Sequence, residues 1–122
     1  MAQRILLVED DNRTRKMFAE LLRQNGYEAF EAENGRVAME TMRHQPVELV
    51  VTNMKMPVMD GVETILAIHR LYPDVKIIAM SGSGIGTSES CLKIARTLGS
   101  HKTLTKPLIP EEFLRTIRDL IG

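Results

Sequence analysis

The chain has no tryptophan, a single cysteine and no surplus of charge of either sign. Cys91 alone cannot close a disulfide within the chain, and with eight methionines present the composition suits a reducing cytosol. Sixteen Lys and Arg balance sixteen Asp and Glu, so no global field draws the chain to nucleic acid or to an anionic membrane, and any partner must be recognised by a local patch. A basic helix suited to DNA is also missing. The N-terminal apolar run is only Ile5–Val8, far too short for a signal-peptide core or a membrane span. Together these absences predict a cytoplasmic protein that meets neither membrane nor nucleic acid directly.

What is present is ordinary for a globular protein. The 122 residues are 43% hydrophobic and 26% charged, enough to bury one core, and the expectation is one domain over residues 1–122. The last helix ends with the chain, so a stand-alone protein and an excised domain read alike.

Along the chain a strand followed by a helix recurs five times. Ile5–Val8 is a run of aliphatic residues without alternation, the mark of a parallel strand buried on both faces. It stops at Glu9, Asp10 and Asp11. A helix is predicted from there to Asn25, with Met17, Phe18, Leu21 and Leu22 as its apolar stripe, Asp11 or Asn12 as cap and Gly26 just past its end.

Tyr27–Glu31 reads as a weak second strand, and a helix over Gly35–Arg43 follows, capped by Asn34. Val47–Thr52 is the third strand, with a helix over Val62–Leu71 whose stripe is Val62, Ile65, Leu66 and His69. Val75–Met80 is the fourth, followed by a Gly/Ser-rich stretch and a helix carrying Leu92, Ala95 and Leu98 up to Gly99. Lys102–Leu104 is a short fifth strand, and Pro110 opens a last helix with Phe113, Leu114, Ile117, Leu120 and Ile121 on one face. This pattern predicts a doubly wound α/β fold with helices on both faces of a parallel sheet, its functional groups at the carboxyl ends of the strands.

At those ends the chemistry concentrates. Carboxylates after the first strand suit a hard dication such as Mg²⁺, which takes oxygen ligands and water; taken alone, the same residues read more simply as Asp11 capping the first helix and two solvated acids. The third strand ends at Asn53 and runs into Met56-Pro57-Val58-Met59-Asp60-Gly61. Ser81 ends the fourth strand, and Lys106-Pro107 follows the fifth.

In this order and spacing the chain resembles the receiver domains of two-component response regulators, over its whole length. The resemblance implies a flavodoxin-like (βα)5 fold with strand order 2-1-3-4-5, and phosphorelay signalling from a histidine kinase or phosphotransfer protein rather than enzymatic turnover. It also implies roles for individual residues. Asp10 and Asp11 are the acidic pair that holds Mg²⁺ with Asn53 and the backbone carbonyl of Lys55. Asn53 stands where the family has its phospho-accepting aspartate, Ser81 is the hydroxyl that follows the phosphate, and Lys106 is the ammonium that pairs with it. Partner docking falls near the first helix and the strand-end loops. Output to another domain, or homodimer formation, falls on the face of the fourth helix, fifth strand and fifth helix.

Two departures from the family stand out. Asn53 carries a carboxamide, which has no anionic oxygen to attack phosphorus, so the chain as written cannot form an aspartyl phosphate, and with one charge fewer its Mg²⁺ site is weakened. An introduced substitution, or a receiver that signals without phosphate, would each account for it. Transfer to Thr52 instead is opposed by strand alternation, which points that hydroxyl to the other face.

Thr103 fills the position where many receivers carry a switching aromatic ring, and it is equally a plain strand residue. The stretch Ser81–Thr87 is about three residues longer than the family's usual loop; glycine-rich turns can cradle phosphate, and the plainer reading is a flexible loop ending in a helix cap. Cys91, His69 and His101 lack partners at metal-ligand spacing and are assigned to packing or surface. The rival from another class is a flavodoxin-like mononucleotide binder, disfavoured by the acidic loop after the first strand.

Overall fold

A computed structural model describes residues 2–54, 61–82 and 100–122. Its strands are β1 (Arg4–Val8), β2 (Glu28–Ala32), β3 (Leu49–Asn53), β4 (Lys76–Ser81) and β5 (Lys102–Thr105). Its helices are α1 (Asn12–Gln24), α2 (Gly35–His44), α3 (Gly61–Leu71) and α4 (Pro110–Ile121). The fourth helix of the sequence reading, the loop residues 83–87, Cys91 and the segment 55–60 lie outside the described residues.

All strand pairs are parallel, as the sequence pattern predicts, and lie in the order β2-β1-β3-β4-β5 that the resemblance implies. β1 and β3 are central and read as continuous apolar runs because helices cover both of their faces. Ile5 and Leu7 face one way, with Leu49, Val51, Phe18, Leu22, Phe113 and Ile117, under α1 and α4. Leu6 and Val8 face the other, with Val50, Ala38, Met42, Ile65 and Ile68, under α2 and α3. The rings of Phe18 and Phe113 meet edge to face at 4.9 Å and lock α1 to α4.

Capping follows the sequence at α2, where the Asn34 side chain accepts from the backbone N–H of Val37 at 2.9 Å. At α1 the cap residue is Asp11, but its carboxylate accepts from the Thr14 hydroxyl and not from the backbone. Gly26, with φ of +90°, supplies the left-handed turn that lets the chain leave α1 for β2.

Two helical faces differ from expectation. On α1, Met17 is 59% exposed and the inward face is Arg15, Phe18, Ala19 and Leu22, so a buried arginine occupies one position of the apolar stripe. On α3, Leu66 and His69 are exposed and the inward face is Gly61, Thr64, Ile65 and Ile68. The first of these inward positions is a glycine because α3 starts packed closely on the end of β3. A Cβ at Gly61 would lie 2.5 Å from the carbonyl oxygen of Asn53 and 2.5 Å from Cα of Met54.

Candidate functional site

Parallel register delivers the site residues to one edge of the sheet. β1 and β3 pair from Ile5 with Leu49 to Val8 with Thr52, so the next step brings Glu9 beside Asn53. β3 and β4 pair up to Asn53 with Met80, and β4 and β5 up to Ser81 with Thr105. Lys106 therefore emerges one residue beyond the sheet, its backbone N–H donating to the Ser81 carbonyl at 2.8 Å, and its bond to Pro107 is cis.

Asn53 is 7% exposed, and its carboxamide nitrogen donates to Glu9 Oε2 at 3.1 Å and to Asp10 Oδ1 at 3.2 Å. Glu9 is the most deeply buried acid of the site, 1% exposed. Its Oε1 is paired with the Lys106 ammonium, while its Oε2 also accepts from the backbone N–H of Asp11 at 3.1 Å. Every buried side-chain nitrogen and oxygen among the described residues has a partner. A buried carboxylate is tolerable only when paired and hydrogen-bonded in this way.

The acidic pair consequently differs from the sequence reading. Asp10 meets Asn53 as expected, but the second carboxylate on the amide is that of Glu9, not Asp11. Asp11 is exposed and turned into the first turn of α1, where the Thr14 hydroxyl holds its carboxyl below the usual carboxylate range. The reason is register: Glu9 is the residue that continues β1 alongside Asn53, and two residues later the chain has already turned into the helix. The signal lay in the matched offset of the two strands rather than in any motif.

Ser81 is buried at the end of β4, with its Oγ 3.4 Å from the Gly82 carbonyl. Thr103 is half-buried on β5 opposite Ala79. Thr52 is fully buried and donates to the carbonyl of Asn53 at 3.2 Å. His69 is exposed, and His101 accepts from the Ile77 N–H at 3.1 Å, at the amino-terminal end of the sheet and away from the site. Lys55 lies outside the described residues.

Formally, two carboxylates face one ammonium and one neutral amide, leaving a single negative charge. Among the described residues no group of three or more His, Cys, Asp or Glu is arranged to hold a metal ion, and no helix is long and apolar enough to cross a membrane.

The comparisons agree with this geometry. Residues 5–118 match the response regulator receiver domain family. The chemotaxis protein CheY of Bacillus subtilis is 33% identical over the full length of both chains. CheY of Thermotoga maritima is 30% identical over 96% of each. Among solved structures, the chemotaxis protein CheY4 of Vibrio cholerae superposes with a TM-score of 0.90 at 26% identity, covering 99% of this chain and all of that one. A CheY-like receiver domain from Methanospirillum hungatei gives 0.90 at 25%, covering 98% and 93%. With strands, register and polar cluster in place, the chain belongs to the response regulator receiver domain family, the signalling modules of two-component systems.

Proposed function

We propose that the chain is a phosphorelay receiver domain held in a form that cannot be phosphorylated, because Asn53 occupies the phospho-acceptor position. The observation that carries this reading is the contact of the Asn53 amide with Glu9 and Asp10. A carboxylate at the same place would face two like charges and require a cation, whereas the amide donates to both.

Phosphoryl transfer to a receiver needs an attacking carboxylate, a dication to neutralise the phosphoryl oxygens, and an ammonium and a hydroxyl to receive them. In this chain Lys106 would supply the ammonium and Ser81 the hydroxyl. Asn53 offers only a neutral carbonyl oxygen, which cannot form a mixed anhydride.

The donor set still fits Mg²⁺ in part: the exposed Asp10 carboxylate, Glu9, the Asn53 amide oxygen and the Lys55 carbonyl are hard oxygen donors. Binding is weakened by the missing charge and by the Lys106 ammonium already paired with Glu9. Mg²⁺, when bound, supplies charge neutralisation; the protein residues set where the phosphoryl group would sit.

The partners that fit are a histidine kinase or a phosphotransfer protein. Output, or self-association, would use the surface of β5 and α4. The second reading is a domain that signals by constitutive protein contact, favoured by the internal hydrogen bonds from Asn53 to Glu9 and Asp10 and by the Lys106 ion pair with Glu9. The chain and its Asn53→Asp variant should be incubated with Mg²⁺ and acetyl phosphate and weighed by intact mass. Only the variant is expected to gain a phosphoryl group; a gain on the unaltered chain defeats the proposal.

A further inference from the structure

Glu9 is held in the site by its backbone as well as by its side chain. It closes a strand, its carboxylate is nearly inaccessible, and three donors depend on its position. Its backbone is held from two directions. The N–H donates to the Ala32 carbonyl at 3.0 Å, which extends the pairing of β1 with β2 by one residue. The carbonyl accepts from Nη1 of Arg15 at 2.8 Å in a buried contact.

Arg15 is spent entirely on this corner of the molecule. Its side chain is 9% exposed. Nη2 donates to the Asn12 side chain at 2.7 Å and Nε to Glu31 on β2 at 3.2 Å, forming an ion pair. A planar guanidinium thus reaches the end of β1, the first turn of α1 and the end of β2 in three separate directions, which a lysine ammonium on a flexible stem cannot reproduce. The cost of burying an arginine in an otherwise apolar helix face is met by these contacts.

We propose that Arg15 is a positioning residue for the acidic site: by clamping the Glu9 carbonyl it fixes the angle at which Glu9 presents its carboxylate to Asn53 and Lys106. The arginine touches none of the reacting groups itself and acts through Glu9. The proposal rests on the receiver reading only for its significance, since the contact exists in the unaltered chain.

The test uses the whole chain. In ¹H–¹⁵N spectra the Asn53 carboxamide protons, bonded to Glu9 and Asp10, should be displaced from free-amide positions and protected from solvent. Arg15→Lys, which keeps the charge, is expected to move them and to raise their exchange on the order of tenfold, about the worth of one hydrogen bond. Ile117→Val, a core reduction far from the corner, should lower the unfolding midpoint while leaving those resonances unmoved.

If Arg15→Lys lowers the midpoint and the Asn53 signals stay, the arginine is merely structural and the inference is overturned. A second arm adds Arg15→Lys to Asn53→Asp and titrates Mn²⁺ by its EPR signal, with a several-fold loss of affinity expected. Absence of Mn²⁺ binding to Asn53→Asp alone would refute the receiver reading. Equal binding with and without Arg15→Lys would refute the positioning role.

Discussion

Replacing Asn53 by aspartate exchanges two favourable contacts for two repulsive ones, and the size of the effect can be worked from the geometry. The amide nitrogen lies 3.1 Å from Glu9 and 3.2 Å from Asp10. Like charges relaxed to about 4 Å repel by ~4 kcal/mol at an effective dielectric constant near 20. Two hydrogen bonds to charged acceptors, each worth about 1.5–3 kcal/mol, disappear as well.

Three features reduce the total: Asp10 is exposed and screened, the new carboxylate can turn toward water, and the Lys106 ammonium attracts it. With that relaxation the net loss is expected at the upper end of ordinary single substitutions, about 2–3 kcal/mol, which for a chain of this length lowers Tm by roughly 6–15 °C. Mg²⁺ should restore most of it in the variant, since a dication at a hundredfold excess over its Kd contributes about 2.7 kcal/mol. The unaltered chain should respond weakly. Calorimetric melts of both proteins with EDTA and with Mg²⁺ decide the matter. Equal metal-free melting temperatures, or equal Mg²⁺ shifts, would refute the electrostatic reasoning.

Other expectations follow from the same coordinates. In the Asn53→Asp background Glu9→Gln should weaken Mg²⁺ binding by tenfold or more, about 1.4 kcal/mol, while Asp11→Asn should leave it nearly unchanged; isothermal titration separates the two. Gly61→Ala would drive a methyl group into backbone atoms of Asn53 and Met54 and is expected to cost about 3 kcal/mol, read as a lower urea midpoint with an unchanged m-value. Burial, with the nearby Lys76 and His69, lowers the pKa of His101 from its ordinary 6.5, so the unfolded chain binds that proton first. Its contribution to stability is therefore whole above about pH 6.5, declines as pH falls toward the lowered folded-state value, and levels off below it. His101→Gln should flatten the urea midpoint over that range.

The architecture was legible because β1, β3 and β4 are built on short apolar runs without alternation, bounded by turn residues and alternating with helical patterns, as a parallel sheet covered on both faces requires. Asn53, Ser81 and Lys106 were legible as strand-end residues in a recurring unit. What escaped was any position where burial and hydrophobicity part company. Arg15 and Thr64 are buried polar residues and Met17 and Leu66 are exposed apolar ones, so periodicity alone rotated two helical faces. Glu9 escaped for a related reason. In a run of three acids, identity does not tell which one continues the strand, and only the β1–β3 register distinguishes Glu9 from Asp11.

The pairing of Glu9 with Lys106 joins positions 97 apart in the chain. Closing a loop of that length costs chain entropy that the buried pair must offset. Lys106, just past β5, is the counter-ion of the Glu9 carboxylate at the tip of β1, and an arrangement that buries Glu9 without it is penalised. The ionic link thus ties the two ends of the sheet's chain path together: any packing that leaves β5 out of place keeps an unneutralised interior charge at Glu9.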